Sequence, residues 1–77
     1  KAFVISVESK TEFVKNLASI KMVLGESKGN CPVFIKITED NKPAITLQLA
    51  TEFNIRPNTK LEIMLKNILP EAKIAYN

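Results

Sequence analysis

The feature that most constrains the fold is a pair of alternating stretches in the middle of the chain. From Val33 to Thr38, and again from Ala44 to Leu49, a Val, Ile or Leu occupies every second position. This period of two is typical of strands, because successive side chains of a strand point to opposite faces of a sheet. Residues 39–42, between the stretches, are rich in types that tolerate a tight turn. The pattern therefore predicts an antiparallel hairpin, with Pro32 at the start of its first strand.

A strand and a helix are predicted before this hairpin. Residues 3–7 alternate in the same way. Ser9 and Glu12 have the spacing of a capping box, so a helix is expected to begin there. Its apolar stripe consists of Phe13, Leu17, Ile20 and Leu24. Gly25 is expected to end the helix in the left-handed conformation, and residues 26–30 are expected to form a loop.

The chain after the hairpin predicts a short extended piece over residues 52–55, a second helix and a closing strand. Asn58 or Thr59 is expected to cap the helix, and Pro70 to stop it. Residues 73–76 alternate as a strand does. We therefore expect an α/β (α+β) domain with a single small mixed sheet of four to five strands and two amphipathic helices, in the order β-α-β-β-(β)-α-β. The helices could pack on the same face of the sheet or on opposite faces.

The length of the chain allows only one small core. A chain of 77 residues buries only about 60% of the surface that its unfolded state exposes. Residues 1–77 are thus expected to form a single domain with a shallow binding face and no small-molecule substrate. A strand pattern begins almost directly after Lys1, so we expect a piece of a longer protein. No apolar run is long enough for a bilayer or a signal peptide, and no membrane contact is expected.

The sequence offers little for catalysis. It contains no His and a single cysteine, Cys31, so no disulfide and no Cys/His zinc site can be built from this chain alone. A reducing, cytoplasmic setting is expected. Cys31 is expected to be a small, partly buried thiol. Two glycines supply neither a P-loop nor a dinucleotide fingerprint. We expect a non-enzymatic domain with no cofactor and no metal.

Two kinds of binding partner remain. The net charge of +3 is spread along the chain, and Phe3, Phe34 and Phe53 could serve as stacking platforms, so weak sequence-independent contact with single-stranded DNA is one alternative. A protein partner is the other, because apolar residues away from a stripe can mark a docking surface. Residues of this kind are Ala18 and Met22 on the first helix and Ile63 on the second.

The order of these residues resembles the C-terminal domain of the α subunit of bacterial DNA polymerase III. The similarity covers nearly the whole chain and includes Cys31-Pro32-Val33-Phe34-Ile35 with the hairpin that follows. Its most specific part is Phe53-Asn54-Ile55-Arg56-Pro57-Asn58-Thr59, which leads into the second helix. Lys73-Ile74-Ala75-Tyr76 resembles the family's final strand. Thr59 and Pro70 depart from it, since the family commonly has an acidic residue and a glycine there.

The resemblance implies a non-catalytic domain that binds the tau subunit of the clamp loader, or another replisome protein, and so tethers a replicative polymerase. It places partner-binding residues at Phe53, Ile74 and Tyr76, and the off-stripe position adds Ile63. It also implies that the chain is the C-terminal fragment of a polymerase subunit whose catalytic acids lie in other domains. A sliding-clamp motif is a further alternative, since residues 48–53 begin as such a motif does but carry Thr at its central apolar position.

Overall fold

The structure is a computed structural model that describes all residues from Lys1 to Asn77. Five strands, three helices and one short 3-10 helix follow one another along the chain. In order they are β1 (Phe3–Val7), α1 (Lys10–Lys15), α2 (Leu17–Gly25), β2 (Lys28–Cys31), β3 (Val33–Ile37), β4 (Ile45–Gln48), the 3-10 helix (Thr51–Phe53), α3 (Thr59–Ile68) and β5 (Lys73–Tyr76).

Four of the strands form one mixed sheet in the order β4-β3-β1-β5. The central pair, β1 and β3, is parallel, and α1 and α2 form the crossover that parallel neighbours need. β4 pairs antiparallel with β3, which confirms the predicted hairpin, and Asn41 in its turn has a φ of 61°. β5 pairs antiparallel with β1 on the other side. The predicted class, a small mixed sheet with helices, is confirmed.

All helices pack on one face of this sheet. The alternating side chains of the two central strands that point to this face are buried. They are Phe3, Ile5 and Val7 on β1, and Val33, Ile35 and Ile37 on β3. Residues of α2 and α3, including Leu24 and Leu65, complete the same cluster of 15 buried apolar residues. The question of one covered face or two is thereby answered: the helices share a face.

The first helix is broken at Asn16, where the sequence predicts one continuous helix. The side-chain amide of Asn16 donates at 2.9 Å to the carbonyl of Glu12, which also accepts the regular helical bond from the Asn16 N–H at 3.2 Å. A short amide side chain that bonds to nearby backbone competes with the regular helical ladder in this way. The helix ends at Gly25 as predicted, but the left-handed conformation expected there is wrong, because no glycine has a positive φ.

Residues 28–31 form a short strand, β2, where a loop is predicted. β2 lies against Ile55 through isolated bridges at Lys28 and Cys31, and the Gly29 N–H donates to the carbonyl of Asn54 at 3.2 Å. A Cβ at Gly29 would meet the Ile55 backbone at 2.6 Å, so only glycine permits this approach. Ile55 is completely buried as a result.

The two predicted helix starts are confirmed. Ser9 Oγ accepts the N–H of Glu12 at 3.1 Å, and Asn58 Oδ1 accepts the N–H of Leu61 at 2.8 Å. Each oxygen satisfies a donor that has no partner within its helix. The extended piece predicted over residues 52–55 is instead the 3-10 helix Thr51–Phe53, followed by extended backbone at Asn54.

Candidate docking surface

The face of the sheet opposite the helices is open. The positions that alternate with the buried ones on β1, β3, β4 and β5 point to it, because paired residues share a face. They are Val4, Ser6, Phe34, Lys36, Thr46, Gln48, Lys73 and Ala75. Val4 lies between Phe34 and Ala75, and Ser6 lies between Lys36 and Lys73. This open face thus has an apolar row beside a row with two cations, and no acidic side chain among its eight residues.

The edge of the sheet at β5 has unpaired backbone groups. Ala2 and Asn77 exchange two backbone hydrogen bonds, of 2.6 and 2.9 Å. In an antiparallel ladder, such bonded pairs alternate with pairs whose N–H and C=O groups point away from each other. The next pair is Phe3 with Tyr76, and Ile5 with Ile74 follows two residues on. The N–H and C=O groups of Ile74 and Tyr76 therefore point outward from the sheet. We call this outward side of β5 the β5 edge.

A basic depression adjoins the β5 edge. It has a volume of about 450 Å³ and is lined on one side by Tyr76 and on another by Ile55, Arg56 and Pro57. Lys1 also lines it and holds its Nζ 5.5 Å from the centre of the Tyr76 ring, within the range of a cation–π contact. No acidic residue lines this depression. Cation charge and aromatic surface thus meet at one end of the β5 edge.

The opposite edge strand, β4, exposes apolar side chains. Ile45 and Leu47 lie opposite Ile37 and Ile35, so they point to the face that carries the helices. Both nevertheless remain 44% exposed, because the helices do not reach far enough to cover this edge. The patch is small, and the chain segments on either side of β4 carry both acids and a cation, namely Asp40, Lys42 and Glu52.

The structure does not gather the four predicted partner-binding residues on one element. Ile74 is half-buried and Tyr76 is 53% exposed, both on β5. Phe53 is half-buried in the 3-10 helix, packs against the core and holds the Nζ of Lys21 5.3 Å from its ring centre. Ile63 is exposed on α3, on the side turned away from the buried Leu61 and Leu65.

The remaining predicted residues are placed as follows. Met22 and Ala18 are exposed on α2, as their position away from the stripe predicts. Of the three phenylalanines named as stacking platforms, Phe3 is buried beneath the helices and Phe53 lies in the 3-10 helix. Only Phe34 lies on the open face. Gln48, the first residue of the possible clamp motif, belongs to β4, so this segment is not a free extended peptide.

Three carboxyl side chains, those of Glu8, Glu12 and Glu71, line one depression of about 390 Å³. No cluster of His, Cys, Asp and Glu could hold a metal ion. Cys31 is a half-buried free thiol, as expected, with Sγ 3.6 Å from the carbonyl oxygen of Pro32. None of the helices has the length and apolar character to span a bilayer.

Comparison with protein-family models, with curated proteins and with solved structures gave no match for this chain.

Sequence reasoning found two residues of the β5 edge and missed the cations around it. Arg56 and Lys1 are distant in sequence from Tyr76, and only the fold brings them to the same depression. The signal for Arg56 was present, because it lies in the Phe53–Thr59 segment on which the resemblance depends. Nothing in the local sequence singles out Lys1.

Proposed function

We propose that this domain is a non-catalytic docking module of a bacterial replicative DNA polymerase α subunit, which tethers the polymerase to the tau subunit of the clamp loader in the cytoplasm. The observation that carries the proposal is the β5 edge. Two of the residues indicated by the resemblance, Ile74 and Tyr76, lie there with outward backbone groups and partly exposed side chains. A partner protein is the kind of ligand that can use both.

The shape of the domain supports a protein ligand. The depression beside Tyr76 is shallow and open, whereas small-molecule sites enclose most of their ligand. Docking contacts are commonly centred on a few aromatic or aliphatic anchors, and Tyr76 offers such a side chain next to two cations. In this proposal the domain holds the polymerase at the clamp loader and takes no part in the catalysed reaction.

A calorimetric titration of the domain with purified tau subunit tests this proposal. We expect saturable binding that persists when salt is added. Tyr76→Ala should weaken it about tenfold, since removal of an aromatic anchor commonly costs 1 kcal/mol or more. Val14→Ala is the matched control, because Val14 is 55% exposed on α1, outside the β5 edge. Absence of binding to tau, or equal loss in both variants, would count against the proposal.

A second candidate function is weak, sequence-independent binding of single-stranded DNA on the open face. The observation that favours it is the composition of the open face, which carries Phe34, Lys36 and Lys73 and no acidic residue. Cations beside an exposed aromatic side chain can hold phosphates while a base stacks.

An oligothymidine titration at several salt concentrations distinguishes this candidate from docking. Two phosphate contacts predict a slope of log K against log salt of about −1.4. Lys36→Gln should reduce the steepness by about half, and Phe34→Ala should lower affinity with little change in slope. Lys42→Gln is the control, since Lys42 lies in the hairpin turn beside Glu39, 3.6 Å from its carboxylate. Binding that is absent at low salt rejects the candidate.

A further inference from the structure

We infer that the β5 edge accepts an extended, acidic segment of the partner protein as an additional strand of the sheet. This inference rests on the proposed docking function and names the manner of binding and the chemistry of the ligand. Four features carry it: the direction of the backbone groups, their spacing, the charge around them and the cost of the alternatives.

The backbone groups of β5 select an extended ligand. N–H and C=O groups of Ile74 and Tyr76 point away from β1, two residues apart, which is the repeat at which another strand presents its own groups. A helix satisfies its backbone internally and cannot bond to this row. A strand can, and main-chain bonds of this kind supply affinity in β-strand addition.

The charge around the edge selects an acidic ligand. Lys73 lies on β5 itself, and Lys1 and Arg56 line the depression at the Tyr76 end. Lys66 lies near the start of β5, where its Nζ donates to the carbonyl of Ala72 at 2.7 Å. Glu71 is the acid nearest in sequence to the strand. An acidic group of the segment would meet Lys1 and Arg56 at the Tyr76 end of the edge, whereas the start of β5 adjoins a depression lined by Glu8, Glu12 and Glu71.

A second copy of this chain is a poorer ligand for the same edge. Two β5 strands paired antiparallel would bring two copies of Lys73 to one seam, and neither strand carries an acid to pair with them. Like charges placed opposite each other in a sheet are destabilising, and lysines on an edge strand commonly prevent such self-pairing. The cations therefore favour a partner of opposite charge over a dimer.

Amide hydrogen exchange measured by NMR tests the inference at named atoms. In the free domain the amides of Ile74 and Tyr76 should exchange rapidly, while that of Ala75, bonded to β1, should be protected. Saturating tau subunit should slow exchange at Ile74 and Tyr76 by about tenfold or more and leave Ala75 nearly unchanged. If tau binds by calorimetry and these two amides remain unprotected, the inference is overturned and the docking proposal stands.

A second experiment uses synthetic peptides and tests the inference without the tau subunit. The probes are a short synthetic peptide in which Val alternates with Glu, and its counterpart in which Val alternates with Lys. Protection of Ile74 and Tyr76 by the Glu peptide alone supports the inference even if tau does not bind. Equal effects of both peptides, no protection by either, or a concentration-dependent dimer in sedimentation overturns it.

Two variants of Ile74 distinguish the contribution of its backbone N–H to binding from that of its side chain. Ile74→Pro removes the outward N–H, and Ile74→Ala removes most of the same side chain but keeps that N–H. Both variants should keep the circular-dichroism spectrum of the folded domain, because this N–H is not bonded to β1. The proline variant should bind at least about tenfold more weakly than the alanine variant. Equal affinities would contradict strand addition.

Discussion

The two faces of the sheet share the same four strands and differ in almost everything else. On the covered face, the side chains of β1 and β3 are buried beneath α2 and α3. On the open face, the residues next to them along the same strands remain partly exposed and include lysines. Because adjacent residues alternate between faces, a change of one position moves a substitution from one environment to the other. Adjacent positions along one strand therefore differ sharply in burial and in their expected contribution to stability.

The largest expected effect is on the covered face. Ile35→Ala should lower the free energy of unfolding by about 2–5 kcal/mol, because Ile35 has no exposed surface and a cavity would remain. Its neighbour on the other face, Phe34, is only half-buried, so Phe34→Ala should cost about 1 kcal/mol. Urea denaturation of both variants measures the difference. Equal losses would show that the open face is covered by something in the folded protein.

A smaller loss of stability is expected at Gly29, where β2 lies against the backbone of the buried Ile55. Gly29→Ala should destabilise the domain by about 1–3 kcal/mol, since the new methyl group would overlap the Ile55 backbone. Gly25→Ala is the control: nothing lies within 4 Å of its added Cβ, and alanine favours the helix there. Thermal unfolding followed by circular dichroism should give opposite shifts. A neutral Gly29→Ala would refute the close approach.

The N-terminal cap of α3 should contribute about 1 kcal/mol to the free energy of unfolding. Asn58→Ala removes the acceptor for the N–H of Leu61, whereas Asn58→Asp keeps an oxygen in place. Urea denaturation should show a loss for alanine and little change for aspartate. Neither variant lies on the open face, so oligothymidine binding, if present, should be unaffected. Similar losses in both would mean that the Asn58 amide, which donates to the Arg56 carbonyl at 2.8 Å, matters more than the cap.

The smallest effect on stability is expected for the cations of the open face. Lys36→Gln and Lys73→Gln together should change the free energy of unfolding by less than about 0.5 kcal/mol, because both side chains are exposed and in no ion pair. The same double variant should abolish most of any salt-sensitive DNA binding. A loss of stability comparable to that of Ile35→Ala would contradict the separation of the two faces.

Much of this fold follows from local patterns. Alternation over residues 3–7 and 33–38 gives the two central strands, and the oxygens of Ser9 and Asn58 mark the two helix starts. These signals work because each is decided by a few neighbouring residues. The break at Asn16 is also local, but the apolar stripe continues across it and conceals it.

Long-range contacts account for what the sequence did not reveal. β2 has no alternating pattern, and it exists because Gly29 allows Ile55, far along the chain, to approach. Alternation shows that Ile45 and Leu47 share a face, but their exposure depends on how far the helices extend over β4. The cations near Tyr76 are likewise assembled only by the fold. Which apolar residues remain exposed is therefore a property of the assembled layers.

The hydrogen-bonded pair of Ala2 and Asn77 has one more consequence. It brings the two ends of this stretch of chain side by side at one end of the sheet, on neighbouring antiparallel strands. A short peptide link between them would turn β5 and β1 into a hairpin, and the chain could then be reopened in the exposed turn around Asn41. Such a circular permutant would keep every strand pairing while its ends moved to the far side of the sheet.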